Sequence, residues 1–192
     1  MEQIGGQDWL GKRLLILGDV NTGKTTLCRS ILEDFCRLGL GRQIVIVDLA
    51  PHIPEELSSE KGLPGVGGSL RPPEGCGVIH MAAHLDAPRL SSTSEAEAMA
   101  KARANREIIE ELFCRMDLER REILFVNDVT MYLQAGTAED LIARFGLADT
   151  LVVNGYWGES LGGGELTIRE RAETDKIRAW FERAGTVLTL DR

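Results

Sequence analysis

Along the chain, short runs of apolar residues alternate with stretches in which apolar positions recur every three to four residues. The runs fall at 13–17, 43–48, 77–81, 122–127, 150–154 and 186–190. Most are continuously apolar and β-branched. That pattern predicts strands buried on both faces, as in a mainly parallel sheet held between helix layers.

The intervening stretches predict helices. Residues 24–38 place Leu27, Ile31, Phe35 and Leu38 on one stripe and stop at Gly39. Residues 94–116 open with Ser94 and Glu97 as a capping box and turn Met99, Ala102, Ile109, Phe113 and Met116 inward. Residues 138–145 follow Thr137 and stop at Gly146. Residues 168–184 open with Thr167 and Glu170 as a second capping box, with Ile168, Ala172, Ile177, Trp180, Phe181 and Ala184 facing the core. This order of elements predicts an α/β fold, a three-layer α/β/α sandwich forming a single domain over 1–192. Residues 51–77 hold five of the six prolines and read as a flexible Gly/Pro-rich insert.

Composition narrows the class. The chain has 192 residues and a formal charge of −8, which disfavours sequence-independent nucleic-acid binding. Nothing resembles a signal peptide or a membrane span, so the expected location is cytoplasmic, away from membranes. Cys28, Cys36, Cys76 and Cys114 show no C-x-x-C spacing and read as reduced thiols. Of 21 glycines, the ones at 18 and 23, six in 51–77 and five in 155–164 fall in three segments that a parallel sheet would bring to one rim.

The chemistry concentrates at the first of these segments. Gly18, Asp19, Val20, Asn21, Thr22, Gly23, Lys24 and Thr25 match G-x-x-x-x-G-K-[ST] between a predicted strand and a predicted helix. Gly18 turns the chain off the strand, and Gly23 lets backbone amides close on phosphates at a helix N-terminus, whose dipole favours an anion. Lys24 is expected to reach the β- and γ-phosphates, Thr25 to ligate Mg²⁺, and Thr26 to add a phosphate contact. On this motif the chain resembles the P-loop NTPase superfamily. The resemblance implies a nucleoside triphosphate with Mg²⁺, used for hydrolysis or phosphoryl transfer.

Two acids compete for the remaining roles. Asp48 ends the apolar run 44–47, and Asp128 follows the run 123–126 with Asn127 interposed. Asp128 is expected in the magnesium shell, and Asp48 is expected to act on the attacking group as base or orienter. Neither is followed by glutamate, which argues against AAA, RecA and ABC-type ATPases. Asn154 lacks the Asn-Lys-x-Asp context of a guanine reader, so ATP is favoured over GTP, with Asn154 a candidate base contact.

The segment from Gly18 to Leu27 and the strand ending in Asp48 resemble the RNA 5′-hydroxyl kinases and their relatives over about a quarter of the chain. Asp-Leu-Ala-Pro-His replaces their Asp-x-Asp-x-Gly-Gln type motif. That resemblance implies kinase-like transfer to an unidentified acceptor. A second reading is a nucleotide-switched or metallochaperone-like ATPase of the SIMIBI class with a protein partner, although Asp19 stands where the MinD and ParA types carry an extra lysine. A third is adenosyl transfer, since the segment 123–136 is similar to one in corrinoid adenosyltransferases. A homo-oligomer is compatible with all three.

Further polar candidates are Lys61 and Arg71 in the insert, His80 and His84, and Arg89, Arg103, Asn105, Arg106, Arg169 and Arg171 as partners for developing charge. Tyr156 and Trp157 are candidates to stack on a planar ligand.

Overall fold

A computed structural model describes residues 5–53, 68–116 and 122–191. The strands are β1 (Arg13–Gly18), β2 (Ile44–Asp48), β3 (Ile79–Ala82), β4 (Ile123–Asn127), β5 (Thr150–Tyr156) and β6 (Thr186–Leu190). The helices are α1 (Lys24–Arg37), α2 (Pro88–Ser91), α3 (Glu95–Arg115), α4 (Thr130–Leu133), α5 (Ala138–Phe145) and α6 (Glu165–Ala184). Short 3₁₀ turns cover Gly6–Trp9 and Gly41–Gln43. The strands form one parallel sheet in the order β3-β2-β4-β5-β1-β6. The expected three-layer α/β/α sandwich is therefore the fold.

Continuously apolar strands feed two cores because successive side chains leave opposite faces. Leu14, Ile16, Ile44 and Ile46 meet Ile31, Leu32 and Phe35 of α1 on one side. Leu15, Leu17, Val45 and Val47 meet Ile109 and Phe113 of α3 and Ile177 and Phe181 of α6 on the other. Phe35 packs edge-on against Phe125 of β4, with ring centroids 5.9 Å apart.

Most expected helix limits agree with the structure to within a residue or two, but α6 differs. It starts at Glu165 after Gly164 (φ 107°) and has no side-chain cap. Thr167 and Glu170, expected to cap it, are buried within it. Ile168, expected inside, is 72% exposed, and Ala172 is exposed too. The cause is an ion pair in the core: Glu170 Oε2 lies 2.6 Å from Arg89 Nη2, so the inward face carries a carboxylate that hydropathy assigns to solvent. Leu38 is likewise exposed, and Cys28 and Leu32 complete the α1 stripe. The short helices α2, which opens on Pro88, and α4, which follows the turn after β4, carry no periodic signal of their own.

The insert expected at 51–77, whose glycines include the run Gly65-Val66-Gly67-Gly68, lies mostly outside the described residues, Lys61 and the first three positions of that run among them. Residues 68–70 are described and lie beside the end of β2, held by contacts given below.

Candidate nucleotide site

The carboxyl ends of β1, β5, β4 and β2 form a rim, the place where open α/β sheets take ligands. β1 delivers the chain into the loop Asp19–Gly23, and α1 begins at Lys24. Gly23 is the N-cap in the left-handed region (φ 87°, ψ 12°), a conformation costly to a residue with a Cβ. With no side-chain cap on α1, its first amides remain oriented toward the rim.

A cavity of about 350 Å³ opens above this helix end. Its walls include Val20, Asn21, Gly23, Lys24, Thr25 and Thr26 from the loop and α1. Asn127 and Asp128 come from the end of β4, and Asn154 and Tyr156 from β5. Arg29, Gly68 and Leu161 complete it. Lys24 donates to the Asp19 carbonyl at 2.5 Å. Burial pushes its ammonium pKa below the usual lysine value, while Asp128 and Asp19 pull the other way. The molecule is acidic overall, yet Lys24 and Arg29 place two cations around one acidic side chain here.

The two candidate acids sit differently. Asp48 is 3% exposed and is not part of the cavity wall. Its Oδ2 accepts from Ser69 Oγ at 2.5 Å, Leu70 N at 2.9 Å and His80 Nε2 at 3.3 Å. Its Oδ1 accepts from Asn127 Nδ2 at 2.7 Å and Ala50 N at 3.3 Å. Burial alone would raise this carboxyl, but His80, Ser69, Asn127 and the Ala50 amide outweigh it and hold the pKa at about 2. Asp48 thus anchors residues 69 and 70 and the edge strand β3.

Asp128 faces the cavity. Its backbone is left-handed (φ 58°), and its amide donates to Asn154 Oδ1 at 3.0 Å. Thr130 Oγ1 donates to its carboxylate at 2.9 Å. Burial raises its pKa above the ordinary value; Thr130, Lys24 and Arg89 oppose this, and Asp48 adds to it. The Thr25 hydroxyl donates to Asn127 Oδ1 at 3.5 Å. Asn127 Oδ1 also accepts from Asn154 Nδ2 at 2.7 Å, and the same Nδ2 lies 3.2 Å from Cys28 Sγ. A row of bridges therefore runs from Cys28 through Asn154 and Asn127 to Asp48 beneath the cavity. The sheet register creates it, because Asp48 lies opposite Asn127 and Val126 lies opposite Val153.

Asp19 turns outward from the cavity. Its carboxylate accepts from Val20 N at 2.6 Å and Ser160 Oγ at 2.7 Å, so the Gly-rich segment after β5 clasps the loop between β1 and α1. Gly158 is required at this contact, since a methyl there would overlap the Asp19 carboxylate. Thr22 Oγ1 donates to the Asp19 carbonyl. Gly18, Asp19 and Thr22 shape the loop without being among the residues that wall the cavity.

The remaining candidates disperse. Arg106 pairs with Glu110, Arg169 donates to the Ala135 and Gly136 carbonyls, and Arg103 is exposed. Asn105 binds the Asp86 backbone, and Arg71 is exposed. Arg171 donates to the Gly158 carbonyl and lies over Trp157. His84 packs at a tilt against His52, with ring centroids 4.9 Å apart, while His80 pairs with Asp48, and no cluster of three His, Cys, Asp or Glu ligands occurs among the described residues. Arg29 and Leu161 were not singled out from the sequence, and nothing marked them. Asn127 was visible as the amide interposed before Asp128 on the same rim, and Gly68 as the end of the Gly65–Gly68 run in the insert.

The donor set tests the fit of Mg²⁺. Thr25, Asn127 and Asp128 offer only oxygen, at a cavity a triphosphate would share, which suits an ion that keeps waters and takes few protein ligands.

No protein-family model matches the chain, and no sequence match to a curated protein was found. Solved structures do resemble it. The flagellar accessory protein FlaH from Methanocaldococcus jannaschii superposes with a TM-score of 0.53 at 11% identity, over 93% of this chain and 70% of that one. The Pif1 helicase from Candida albicans gives 0.38 at 15% identity, covering all of this chain and 40% of that one. A type III secretion system ATPase gives 0.42 at 16%, with all of this chain and 57% of that one. The likeness to FlaH shows the fold alone, a parallel sheet between helix layers; the two lower scores carry no argument. No helix among the described residues is long and apolar enough to cross a membrane.

Proposed function

We propose that the cavity binds a nucleoside triphosphate with Mg²⁺, ATP in preference to GTP, and that the chain transfers its γ-phosphoryl group to a second substrate. One observation carries this reading: the Lys24 ammonium, the Thr25 hydroxyl and the Asp128 carboxylate border a single cavity at an uncapped helix N-terminus. Backbone amides and Lys24 would hold the phosphates. Thr25 and Asn127 would hold Mg²⁺ and its waters, and the ion would neutralise charge on the β- and γ-phosphates.

Asp128 then takes the role of base. Its raised pKa and its place in the wall suit it to accept the proton of the attacking hydroxyl. The acceptor oxygen bonds to the γ-phosphorus, the β–γ bridging bond breaks, and the electron pair leaves with the nucleoside diphosphate. Asp48, held by five donors outside the wall, is a positioning residue in this scheme. Support for it comes from those five hydrogen bonds and from its place outside the cavity wall.

Calorimetry with Mg-ATP tests the binding step: Lys24→Ala should abolish it, and unchanged affinity would sink the assignment. Product analysis tests the reaction. ADP formed only with an acceptor supports transfer, ADP formed without one means hydrolysis, and release of triphosphate means adenosyl transfer.

A further inference from the structure

Residues 68–76 touch α1 at two levels. Gly68 walls the cavity, and the Ser69 carbonyl accepts from Arg29 Nη2 of α1 at 3.1 Å. Leu70 is fully buried in the core that α1 covers, and its amide donates to Asp48. Farther along, Cys76 reaches Cys36 in the last turn of α1, and the two thiols share a hydrogen bond. Cys76 Sγ in turn donates to the Glu74 carbonyl at 3.8 Å. The chain after α1 makes room for this contact at Gly41, where a methyl would overlap the Cys76 carbonyl. Both cysteines are half-buried and unbridged. Burial, the Cys76 contact and the Glu33 charge push the Cys36 thiol up to about 12. Cys28 is fully buried near the start of α1, and Cys114 is exposed on α3, so the pair involves neither.

We propose that Cys36 and Cys76 are a redox-sensitive pair that a low-molecular-weight disulfide closes into a bridge, fastening residues 68–76 to α1 and with them one wall of the cavity. Cys76, on its surface turn, takes the first step. Its thiolate attacks one sulfur of the small disulfide and expels one small thiolate, leaving a mixed disulfide on Cys76. Cys36 then gives its proton to solvent and attacks the Cys76 sulfur, and the second small thiolate leaves. Two protein thiols are oxidised, one small disulfide is reduced to two thiols, and excess dithiol reverses the exchange. The raised Cys36 thiol makes the second step the slower one, because only a thiolate attacks. The effect reaches the cavity through the backbone. The Gly68 carbonyl accepts from Asn127 Nδ2 and the Leu70 amide donates to Asp48, so a segment fixed at Cys76 opens less often at these bonds. The bridge does not depend on the nucleotide reading; only the meaning of the wall rests on it.

The test incubates the full chain, free of nucleotide, with glutathione disulfide, then alkylates it, digests it without reduction and reads it by mass spectrometry. Peptides of Cys36 and Cys76 should appear linked. Closing the long loop between them should raise Tm by about 10 °C, and dithiothreitol should reverse the rise. Amide hydrogen exchange at Leu70 should slow about tenfold or more. Cys36→Ser should stop at the mixed disulfide on Cys76 and show neither change. Cys76→Ser should abolish both changes even if the Cys36 variant folds poorly, and Cys114→Ser should leave them intact. Alkylation of all four cysteines, a bridge through Cys28 or Cys114, or unchanged Leu70 exchange in the bridged chain would overturn the assignment. Mg-ATP calorimetry on the reduced chain reports separately on the nucleotide reading.

Discussion

Replacing Asp48 by asparagine probes the rim most directly, because one residue there carries a large, pH-dependent load. Five donors converge on its two oxygens, and an amide can serve only one side of that arrangement. The folded pKa of about 2 lies below the ordinary 3.8, a gap equivalent to roughly 2 to 3 kcal/mol. Since the folded value is the lower one, this stability is fully present above pH 3.8 and is lost as the pH falls toward 2. Urea unfolding of wild type and Asp48→Asn, followed by tryptophan fluorescence between pH 6 and 2.5, checks it. Other carboxylates titrate in both proteins and cancel in the difference. The difference should be about 3 kcal/mol at pH 6 and shrink by roughly 2 kcal/mol at the acid end. A difference that stays constant with pH would refute the account, because the lost bonds would then not depend on an ionised carboxylate.

Asp128→Asn should leave Mg-ATP affinity within a few-fold and cut turnover by roughly 10²-fold or more, measured by ADP release with acceptor. Since its pKa is raised by burial and the base acts ionised, wild-type turnover should climb with pH through a value above the ordinary 3.8, and the variant should lack that limb. Glu170→Leu strands the Arg89 guanidinium and should cost about 3–5 kcal/mol in urea unfolding, with most of it restored in the Arg89→Leu, Glu170→Leu double variant. The register of α6 predicts that Ile168→Lys changes stability by less than about 0.5 kcal/mol, while Ile177→Ala costs about 2–5 kcal/mol in the same assay. Gly158→Ala forces the segment after β5 off Asp19 and should lower ATP affinity with little change in helix content by circular dichroism.

Strand positions were legible because burial on both faces leaves an unbroken apolar run, and this chain has almost no other such runs. The loop between β1 and α1 was legible as a turn off a strand into a helix, because Gly18, Gly23 and Lys24 stand at the intervals such a junction needs; its phosphate belongs to the proposal. The division of labour among Asp48, Asn127 and Asp128 was not. It depends on which strand ends lie level, and a one-residue difference in register decides which side chain meets Thr25. The α6 register was hidden for another reason. Arg89 and Glu170 are far apart in sequence, and only their pairing makes a glutamate a core residue.

The bridges beneath the cavity also have a direction. An amide gives protons at one end and takes them at the other, so each asparagine in a row must agree with its neighbour. Asp48, ionised, can only take, and it therefore turns the Asn127 NH₂ toward itself and the Asn127 oxygen toward Thr25. Asn154 is then obliged to give at the same oxygen. The electronic sign that the rim shows to an incoming cation is thus written one strand away, by a carboxylate that never touches the cavity. The Gly68 carbonyl, which accepts from the same Asn127 NH₂ at 3.0 Å, holds that sign from the other side.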